Sequence, residues 1–331
     1  MIKVAIIGAG GIVTSHLEAF KQVEGMQATA IADINEVRVT QMANEYGLAP
    51  YTDYKVMLSE QKPDAVIITL PHFLHKPAAV ACAELGCHIY LEKPMAMDEA
   101  ECDEIMAAAE RNGVQLMVGH TQHYLPSNRK AKGIIRGGSL GKLIMINDQR
   151  HSFYFPETRP GWFLEKAKSG GGIMMNLGSH SLDRIQWLTD SRFTRIKGSI
   201  TFHADRGDVE GSGLIYGQTS IGVPAVICQS GYKGAQTNMA ELMFTGGMLK
   251  IDAGGKVEIS RGGAYEEVPV EDQTSPFLLQ LEDFRKQIET GEQPYCSGEY
   301  AKSVIAAVQA VYRSHELGAE VDVMTVGNTA G

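Results

Sequence analysis

Two patterns of hydrophobic and polar positions divide the chain near residue 120. In the first part, short continuous apolar runs alternate with segments whose apolar residues recur every three or four positions. These patterns are typical of buried parallel strands and of helices that cover them, so they predict a doubly wound parallel sheet. The predicted strands are 4–7, 28–32, 64–69, 88–91 and 115–118, and the predicted helices are 12–23, 36–46, 54–60, 77–85 and 98–112.

Beyond residue 120, glycine-rich turns separate segments of alternating polarity, which predicts an α+β domain built on an antiparallel sheet. We therefore expect two domains, residues 1–120 and 121–331, with a loose tail at 327–331. The predicted strands are 143–147, 195–202, 213–216, 225–230, 240–244, 248–252 and 256–260, and the predicted helices are 172–188, 277–290 and 299–318.

The first strand runs into a glycine turn that favours dinucleotide binding. Gly8 permits a tight turn, Gly10 leaves room for phosphates, and the N-terminus of the following helix offers N–H groups and a positive dipole end. Val13 occupies the sixth position of the G-x-G-x-x-G fingerprint, so the match is incomplete. Asp33 follows the second strand at the distance expected of an acid that binds the ribose hydroxyls. The alternative is an ordinary βαβ unit without a ligand.

Composition narrows the class of protein. The 331 residues carry a formal charge of −9, with 44% hydrophobic and 21% charged residues, which is typical of globular proteins and disfavours binding to nucleic acid or anionic membranes. No secretory signal or apolar run of about 20 residues is expected. The five cysteines form no C-x-x-C pair, which predicts free thiols in a reducing cytoplasm.

Several motifs together carry a family resemblance over nearly the whole chain. They are GAGGI from Gly8, the acid Asp33, the segment Thr69 to His75, EKP from Glu92, GH at Gly119, GGGIMMNLGSHSLD from Gly170 and FTGGMLKI from Phe244. With these motifs the chain resembles the Gfo/Idh/MocA family of NAD(P)-dependent oxidoreductases. The resemblance implies a Rossmann domain followed by an α+β domain with a large, mostly antiparallel open sheet. It also implies hydride transfer between nicotinamide and a secondary alcohol or ketone of a sugar, polyol, inositol or related compound.

The resemblance singles out Lys93, His180 and Asn176 as catalytic candidates. Lys93 follows a parallel strand, where an ammonium group can stabilise negative charge on the reacting oxygen. His180 is the candidate acid/base, and Asn176 lies one helical turn before it, with Asp183 and Trp187 continuing the same face. Without the resemblance, Lys93 would be interpreted as a surface lysine. For His180, the alternative interpretation is a structural role. The family pattern usually has Asp where this chain has Asn176, which puts part of the catalytic assignment in question.

The other candidates are assigned to cofactor or substrate. Asp33 would repel a 2′-phosphate, and Ile34 beside it offers no positive charge, so NAD(H) is expected over NADP(H). The stretches 120–124 and 150–162 are rich in His, Tyr, Phe, Arg and Trp, which suit contact with a sugar or the cofactor, although aromatic residues at this density are equally typical of a core. The predicted cofactor-binding residues are Gly8, Gly10, Gly11, Ile12, Asp33, Ile34, Thr69, Leu70, Pro71, His75, Glu92 and Lys93. The predicted substrate-binding residues are His120, His123, Tyr124, His151, Trp162, Asn176 and His180.

Other interpretations concern metals, catalysis and assembly. The histidines show no metal-ligand spacing, so no metal is expected. A dinucleotide-binding regulator on the same fold is the rival to an enzyme, because fold alone does not prove catalysis. In a third interpretation, the protein is an enzyme that holds NAD tightly and uses transient oxidation for elimination or epimerisation. A homodimer or homotetramer joined through the sheet of residues 195–260 is expected.

Overall fold

A computed structural model describes residues 1–252 and 254–323, and these divide into two compact units. The first unit contains 1–121 and 274–302, and the second contains 122–273 and the chain from 303 onward. Segment 274–302 thus belongs with the N-terminal unit, whereas the sequence prediction assigned it to the C-terminal domain. The tail predicted at 327–331 lies outside the described residues. Among the described helices, none combines the length and apolarity needed to cross a membrane.

The helices and strands are numbered along the chain. The strands are β1 Ile2–Ile7, β2 Met26–Ala32, β3 Ala49–Tyr51, β4 Ala65–Ile68, β5 His88–Leu91, β6 Leu116–Val118, β7 Leu143–His151, β8 Phe193–Thr201, β9 Ser212–Thr219, β10 Pro224–Ser230, β11 Thr237–Phe244, β12 Gly247–Ile251, β13 Val257–Ser260, β14 Glu266–Val268 and β15 Val321–Asp322. The helices are α1 Val13–Phe20, α2 Glu36–Tyr46, α3 Tyr54–Gln61, α4 His75–Glu84, α5 Glu99–Arg111, α6 Pro126–Gly137, α7 Lys166–Ser169, α8 Ser179–Thr189, α9 Pro276–Thr290 and α10 Gly298–Leu317.

The first unit is built on a parallel sheet with strand order β3-β2-β1-β4-β5-β6. All four residues of β4 are buried, as its uninterrupted apolar sequence predicts. The chain reverses direction across the sheet between β1 and β4, and ligands of open α/β sheets bind outside the carboxyl ends of the strands at such a point. The predicted Rossmann architecture is confirmed.

The second unit is built on a mixed sheet with order β14-β13-β12-β11-β7-β10-β9-β8-β15 among the described residues. Of its described strand pairs, β7 with β10 is parallel and the others are antiparallel. Alternate residues are buried along the strands, as in β9, where Ile215 is buried between exposed Leu214 and Tyr216. The predicted mostly antiparallel sheet is confirmed.

Five elements were not predicted: α6, α7, β3, β14 and β15, of which α7 has only four residues. The buried residues of α6 are Ser127, Asn128, Ala131 and Lys132, so its inward face is mostly polar and lacks the apolar residues that usually mark a core-facing helix. The three strands have only two or three residues and are too short to show a period. The predicted helix at 172–188 is present, but it opens with a π-helical turn, Met174–Gly178, before α8.

Candidate active site

The glycine turn after β1 is shaped by the neighbouring strand. Gly8 has a φ of 104°, and a Cβ atom built on it would lie 2.8 Å from the carbonyl oxygen of Thr69. The Thr69 hydroxyl donates to the Gly8 carbonyl at 3.1 Å. Gly8 is therefore required by the backbone conformation and by the close approach of the segment after β4.

Gly10 and Gly11 are not required in this way. A Cβ atom at either position would meet no protein atom within 4 Å, so the fold itself has room for a side chain there. The open space lies at the start of α1, where N–H groups and the helix dipole favour a phosphate. Val13, the residue that departs from the fingerprint, is fully buried and is accommodated by the packing. These residues fit a dinucleotide pyrophosphate.

Asp33 is tied to the same turn. Its Oδ2 accepts from the Ala9 N–H at 2.7 Å, and its Oδ1 accepts from the Asn35 N–H at 2.8 Å. Ile34 is 94% exposed and carries no charge, as predicted from its identity. However, Arg38 on α2 brings Nη1 to 4.0 Å from Asp33 Oδ2, so a cation is present that the sequence prediction did not consider. The sequence feature that could have revealed this cation is an arginine in the first turn of the helix that follows Asp33.

Glu92 and Lys93 lie directly after β5. Glu92 is buried, and its carboxylate accepts from His16 Nε2 at 2.9 Å and from the Lys93 N–H at 3.1 Å. Burial acts to raise the pKa of Glu92, but the bond from His16 and the charges of His16 and Lys93 together hold it below its ordinary value. Glu92 thus orients the backbone of Lys93, while the half-buried Lys93 follows it at the strand end.

His16 was missed at the sequence level. It lies on α1 between Val13 and Leu17 and is fully buried with them. A histidine on the apolar face of a helix is ordinarily a core residue, and its spacing from the glycine turn gives no hint of Glu92. Only the tertiary structure shows that α1 and the end of β5 are joined by a buried hydrogen bond.

His75 is committed to protein contacts. Its ring is fully buried, with Nδ1 2.9 Å from the Pro94 carbonyl and Nε2 2.8 Å from the Leu70 carbonyl. Burial lowers the pKa of His75, so the ring is neutral at pH 7 and donates to one of these carbonyls. His75 therefore holds the segments after β4 and β5, including Leu70 and Pro71, rather than offering a free ring nitrogen to a cofactor.

His120, which was predicted to bind substrate, belongs to the first unit and follows β6. It is buried and makes an edge-on contact with Tyr300 at a centroid distance of 5.5 Å. The Sγ atom of Cys296 approaches the His120 carbonyl at 3.9 Å. These contacts anchor the backbone at the point where the parallel sheet ends.

In the second unit, Asn176 lies in the π-helical turn and His180 in α8, so the predicted pair shares one helical segment. Asn176 is buried and His180 is half-buried. Asn176 contacts the buried hydroxyl of Tyr154, whose pKa burial raises to about 12 while Asn176 opposes the shift. This arrangement places an amide and an imidazole near each other on the same stretch of helix.

Glu210 locks the start of that helix. Its carboxylate accepts from the backbone N–H groups of Gly172 and Met174 at 2.9 Å and from the Tyr312 hydroxyl at 2.8 Å. Burial raises the pKa of Glu210 against the effect of these donors. A Cβ atom on Gly172 would lie 2.2 Å from the Glu210 carbonyl oxygen, which explains a glycine at that position of the GGG motif. No local pattern predicts this contact, because Glu210 lies in a separate loop.

His123 and Asp183 form a second buried pair. His123 Nε2 donates to Asp183 Oδ1 at 2.6 Å, and both side chains are almost fully buried. The His123 ring also stacks between Tyr124 and Trp187. Asp183 was predicted to continue a polar face toward a pocket, but it is instead paired in the interior with His123.

The remaining substrate candidates lie on β7 and in the loop after it. His151 is the half-buried last residue of β7, and Trp162 is half-buried and stacks on Phe163 at 3.7 Å. Arg159 packs its guanidinium over the ring of Tyr154 at 4.1 Å. Tyr154 thus connects this loop to Asn176.

The predicted catalytic residues are divided between the two units. Lys93 belongs to the first, with the cofactor candidates, and Asn176 and His180 belong to the second, with most of the substrate candidates. Within residues 1–252 and 254–323, no group of three or more His, Cys, Asp and Glu side chains is arranged to hold a metal ion.

Comparison with known proteins matches both units. Residues 2–120 match the oxidoreductase family with an NAD-binding Rossmann fold, and residues 128–250 match the GFO/IDH/MocA C-terminal domain. A 2,7-anhydro-N-acetylneuraminate hydratase of Mediterraneibacter gnavus is 29% identical over 56% of this chain, an alignment that spans about half of the hydratase, 48%. A D-xylose 1-dehydrogenase (NADP(+)) of Haloferax volcanii is 26% identical over 96% of this chain and 98% of its own length. The crystal structure of an aldose-aldose oxidoreductase from Caulobacter crescentus, complexed with glycerol, superimposes with a TM-score of 0.90 at 23% identity, covering 97% of this chain and 99% of that one.

Proposed function

Because the chain belongs to the Gfo/Idh/MocA family of oxidoreductases, we propose that it transfers a hydride between a nicotinamide cofactor and a secondary alcohol or ketone. The substrate class is a sugar, polyol, inositol or related compound. The observation that carries the proposal is the carboxyl edge of the parallel sheet, where the open glycine turn follows β1, Asp33 follows β2 and Lys93 follows β5.

NAD(H) is the proposed cofactor, in preference to NADP(H). The carboxylate of Asp33 suits the ribose hydroxyls and opposes a 2′-phosphate. Arg38, 4.0 Å from Asp33, weakens this discrimination, and the xylose dehydrogenase relative is named as NADP(+)-dependent. The preference therefore rests on Asp33, whose two oxygens already bind backbone N–H groups and so hold the carboxylate in place.

The chain's own residues supply binding and proton transfer. A nicotinamide held at the glycine turn and Asp33 would supply the acceptor of the hydride in oxidation and its donor in reduction. Lys93 donates a hydrogen bond to the reacting oxygen and stabilises its negative charge, and Glu92 fixes the backbone from which Lys93 extends. His180 takes the hydroxyl proton in oxidation and returns it in reduction, and Asn176 positions the substrate.

The other interpretations of the sequence are not favoured. A regulator without catalysis has no support among the relatives described above, which are named as enzymes. An enzyme that uses transient oxidation has no specific support in the contacts of the described residues. We also propose a reducing, cytoplasmic location, which is consistent with five free cysteines, four of them buried.

A substrate panel tests the proposal. Inositols, sugars, sugar acids and keto-sugars are offered to the full-length protein with NAD or NADH, and the absorbance of reduced nicotinamide is followed. We expect saturable turnover with at least one member of the panel. Tight cofactor binding without turnover of any member, in either direction, would contradict the proposed activity and favour the regulator.

A further inference from the structure

A buried arginine in the second unit lacks the partners that its charge requires. Arg150, on β7, is only 8% exposed. Among the described residues its one hydrogen bond is a long one, from Nη2 to Gln122 Oε1 at 3.5 Å, and its Nε has no acceptor. A guanidinium has five N–H donors, and a buried cation is strongly unfavourable unless acceptors surround it.

The nearby carboxylates do not fill this role. Asp148 accepts from Arg184 at 2.9 and 2.5 Å, and Asp183 accepts from His123 at 2.6 Å. Burial and the like charge of Arg184 lower the pKa of Arg150 to about 10, while the two aspartates attract it only from a distance. Arg150 therefore remains protonated at neutral pH, with most of its donors still available.

The register of the sheet places Arg150 beneath the segment that carries His180. Gln229 on β10 lies beside Arg150, and Asn238 on β11 lies on its other side. Gln229 donates to Ser181 Oγ at 2.8 Å and to the Leu177 carbonyl at 3.2 Å, so this row of the sheet meets the turn that contains His180. Asn238 accepts from Arg184, one turn further along α8, at 3.0 Å.

We propose that Arg150 binds the carboxylate of an anionic substrate, so that the substrate class is sugar acids rather than neutral sugars. This deepens the function proposed above and rests on it. A planar carboxylate accepts two parallel N–H bonds from a guanidinium, and its single negative charge matches the single cation available. A phosphate dianion would require further cations, and the other arginine of the cluster, Arg184, is already paired with Asp148.

The test compares matched acidic and neutral substrates. D-Glucuronate is paired with D-glucose and D-gluconate with sorbitol, and glucose 6-phosphate provides a phosphate, each with the full-length protein and saturating NAD. We expect kcat/KM to be at least about 10-fold to 100-fold higher for an acid than for its neutral partner. Arg150→Gln should bring that ratio close to one, and Arg150→Lys, which keeps the charge but loses the fork, should give an intermediate ratio.

The matched control is Arg195→Gln. Arg195 is half-exposed on β8 and pairs with Glu320, so its loss should leave the ratio unchanged. If Arg150→Gln does not fold, the selectivity of the unaltered protein and of Arg150→Lys decides the matter. If neutral sugars are turned over as well as or better than their acidic partners, the proposed anion site is wrong, but the proposed dehydrogenase activity is supported. A preference for glucose 6-phosphate would overturn the carboxylate assignment.

Failure of the proposed function is recognised separately. If no compound is turned over, calorimetric titration of each acid into the protein decides the site. If an acid binds saturably and the change Arg150→Gln abolishes that binding, the anion site is supported although the proposed reaction is contradicted. Absence of such binding would overturn both.

Discussion

At the scale of single residues, Asp33 is expected to set the choice of cofactor. Asp33→Asn keeps an acceptor for the Ala9 N–H but removes the charge that opposes a 2′-phosphate, and Arg38 is then free to attract that phosphate. We expect the preference for NADH over NADPH to narrow by about 10-fold or more, since hydrogen bonds to charged groups are worth about 1.5–3 kcal/mol. Titration of both cofactors by fluorescence measures the change.

The control for this prediction is the double variant Asp33→Asn with Arg38→Ala, which should lose the gain in NADPH affinity. Tighter binding of NADPH than NADH by the unaltered protein would show that Asp33 does not discriminate as proposed.

His180 and Lys93 are expected to act on turnover rather than on cofactor binding. His180→Ala should lower kcat about 10²-fold to 10⁴-fold, the usual value of general acid–base catalysis, while NAD affinity changes little. Lys93→Met should lower kcat at least as much. His203→Ala, which removes an exposed imidazole from the same unit, is the matched control. Near-full activity of His180→Ala on a confirmed substrate would make His180 structural.

Asn176 tests the departure from the family pattern. Asn176→Asp places a negative charge near His180, which favours the protonated imidazole. The pH–rate profile for oxidation, which needs the neutral ring as base, should therefore move to higher pH. An unchanged profile, with activity retained, would show that Asn176 does not influence the acid/base group.

The buried carboxylate of Glu92 is expected to make the stability of the fold depend on pH. Its pKa in the folded protein is held below the ordinary value of 4.5, so the ionised carboxylate stabilises the fold above that value and loses the effect as the pH falls through the folded-state pKa. Glu92→Gln should reduce the free energy of unfolding by about 1–3 kcal/mol at pH 7, and less near pH 4. Urea titrations at both pH values measure the free energy of unfolding. Glu24→Gln, a change at an exposed residue, is the control.

At the scale of helices and strands, the start of the segment that carries Asn176 and His180 depends on a close contact. Gly172→Ala would place a Cβ atom 2.2 Å from the Glu210 carbonyl oxygen, so we expect a loss of about 1–3 kcal/mol in unfolding free energy. Gly133→Ala, in α6, meets no atom within 4 Å and should stabilise by about 0.5–1 kcal/mol. Equal effects of the two changes in urea unfolding would exclude the contact as the cause.

The elements predicted well are those whose signals are local. Helix α2 begins after Asn35, whose side chain accepts from the Arg38 N–H, and ends at Gly47 in a left-handed conformation, so both of its limits are written in the sequence. Helix α6 has comparable end signals, with Pro126 in its first turn and Gly138 in a left-handed conformation at its end, but its buried face is mostly polar and it was not predicted. In the site, Gly8, Asp33 and Lys93 lie in local motifs and so could be predicted as binding or catalytic residues, which they remain. The contacts of His16 and Glu210 could not be predicted, because their partners are distant in sequence.

At the scale of the whole molecule, the outer face of the second unit's sheet carries the prediction on assembly. Leu214 and Tyr216 on β9 and Val226 on β10 are 53%, 46% and 38% exposed, and Val226 pairs directly with Tyr216 in the sheet. Contiguous exposed apolar side chains of this kind usually mark an interface. We therefore predict a homodimer or homotetramer joined through this sheet, with self-complementary contact between copies.

The change that tests assembly is Leu214→Lys combined with Val226→Lys, which places two cations on the apolar face. Sedimentation equilibrium at micromolar concentration should then show a monomer, whereas the unaltered protein sediments as an oligomer. Ile221→Lys is the matched control, since Ile221 is 54% exposed but lies in the turn between β9 and β10. A monomeric unaltered protein would contradict the prediction. An oligomer that survives the double change would place the interface on another surface, because a desolvated pair of like charges across a symmetric contact is strongly unfavourable.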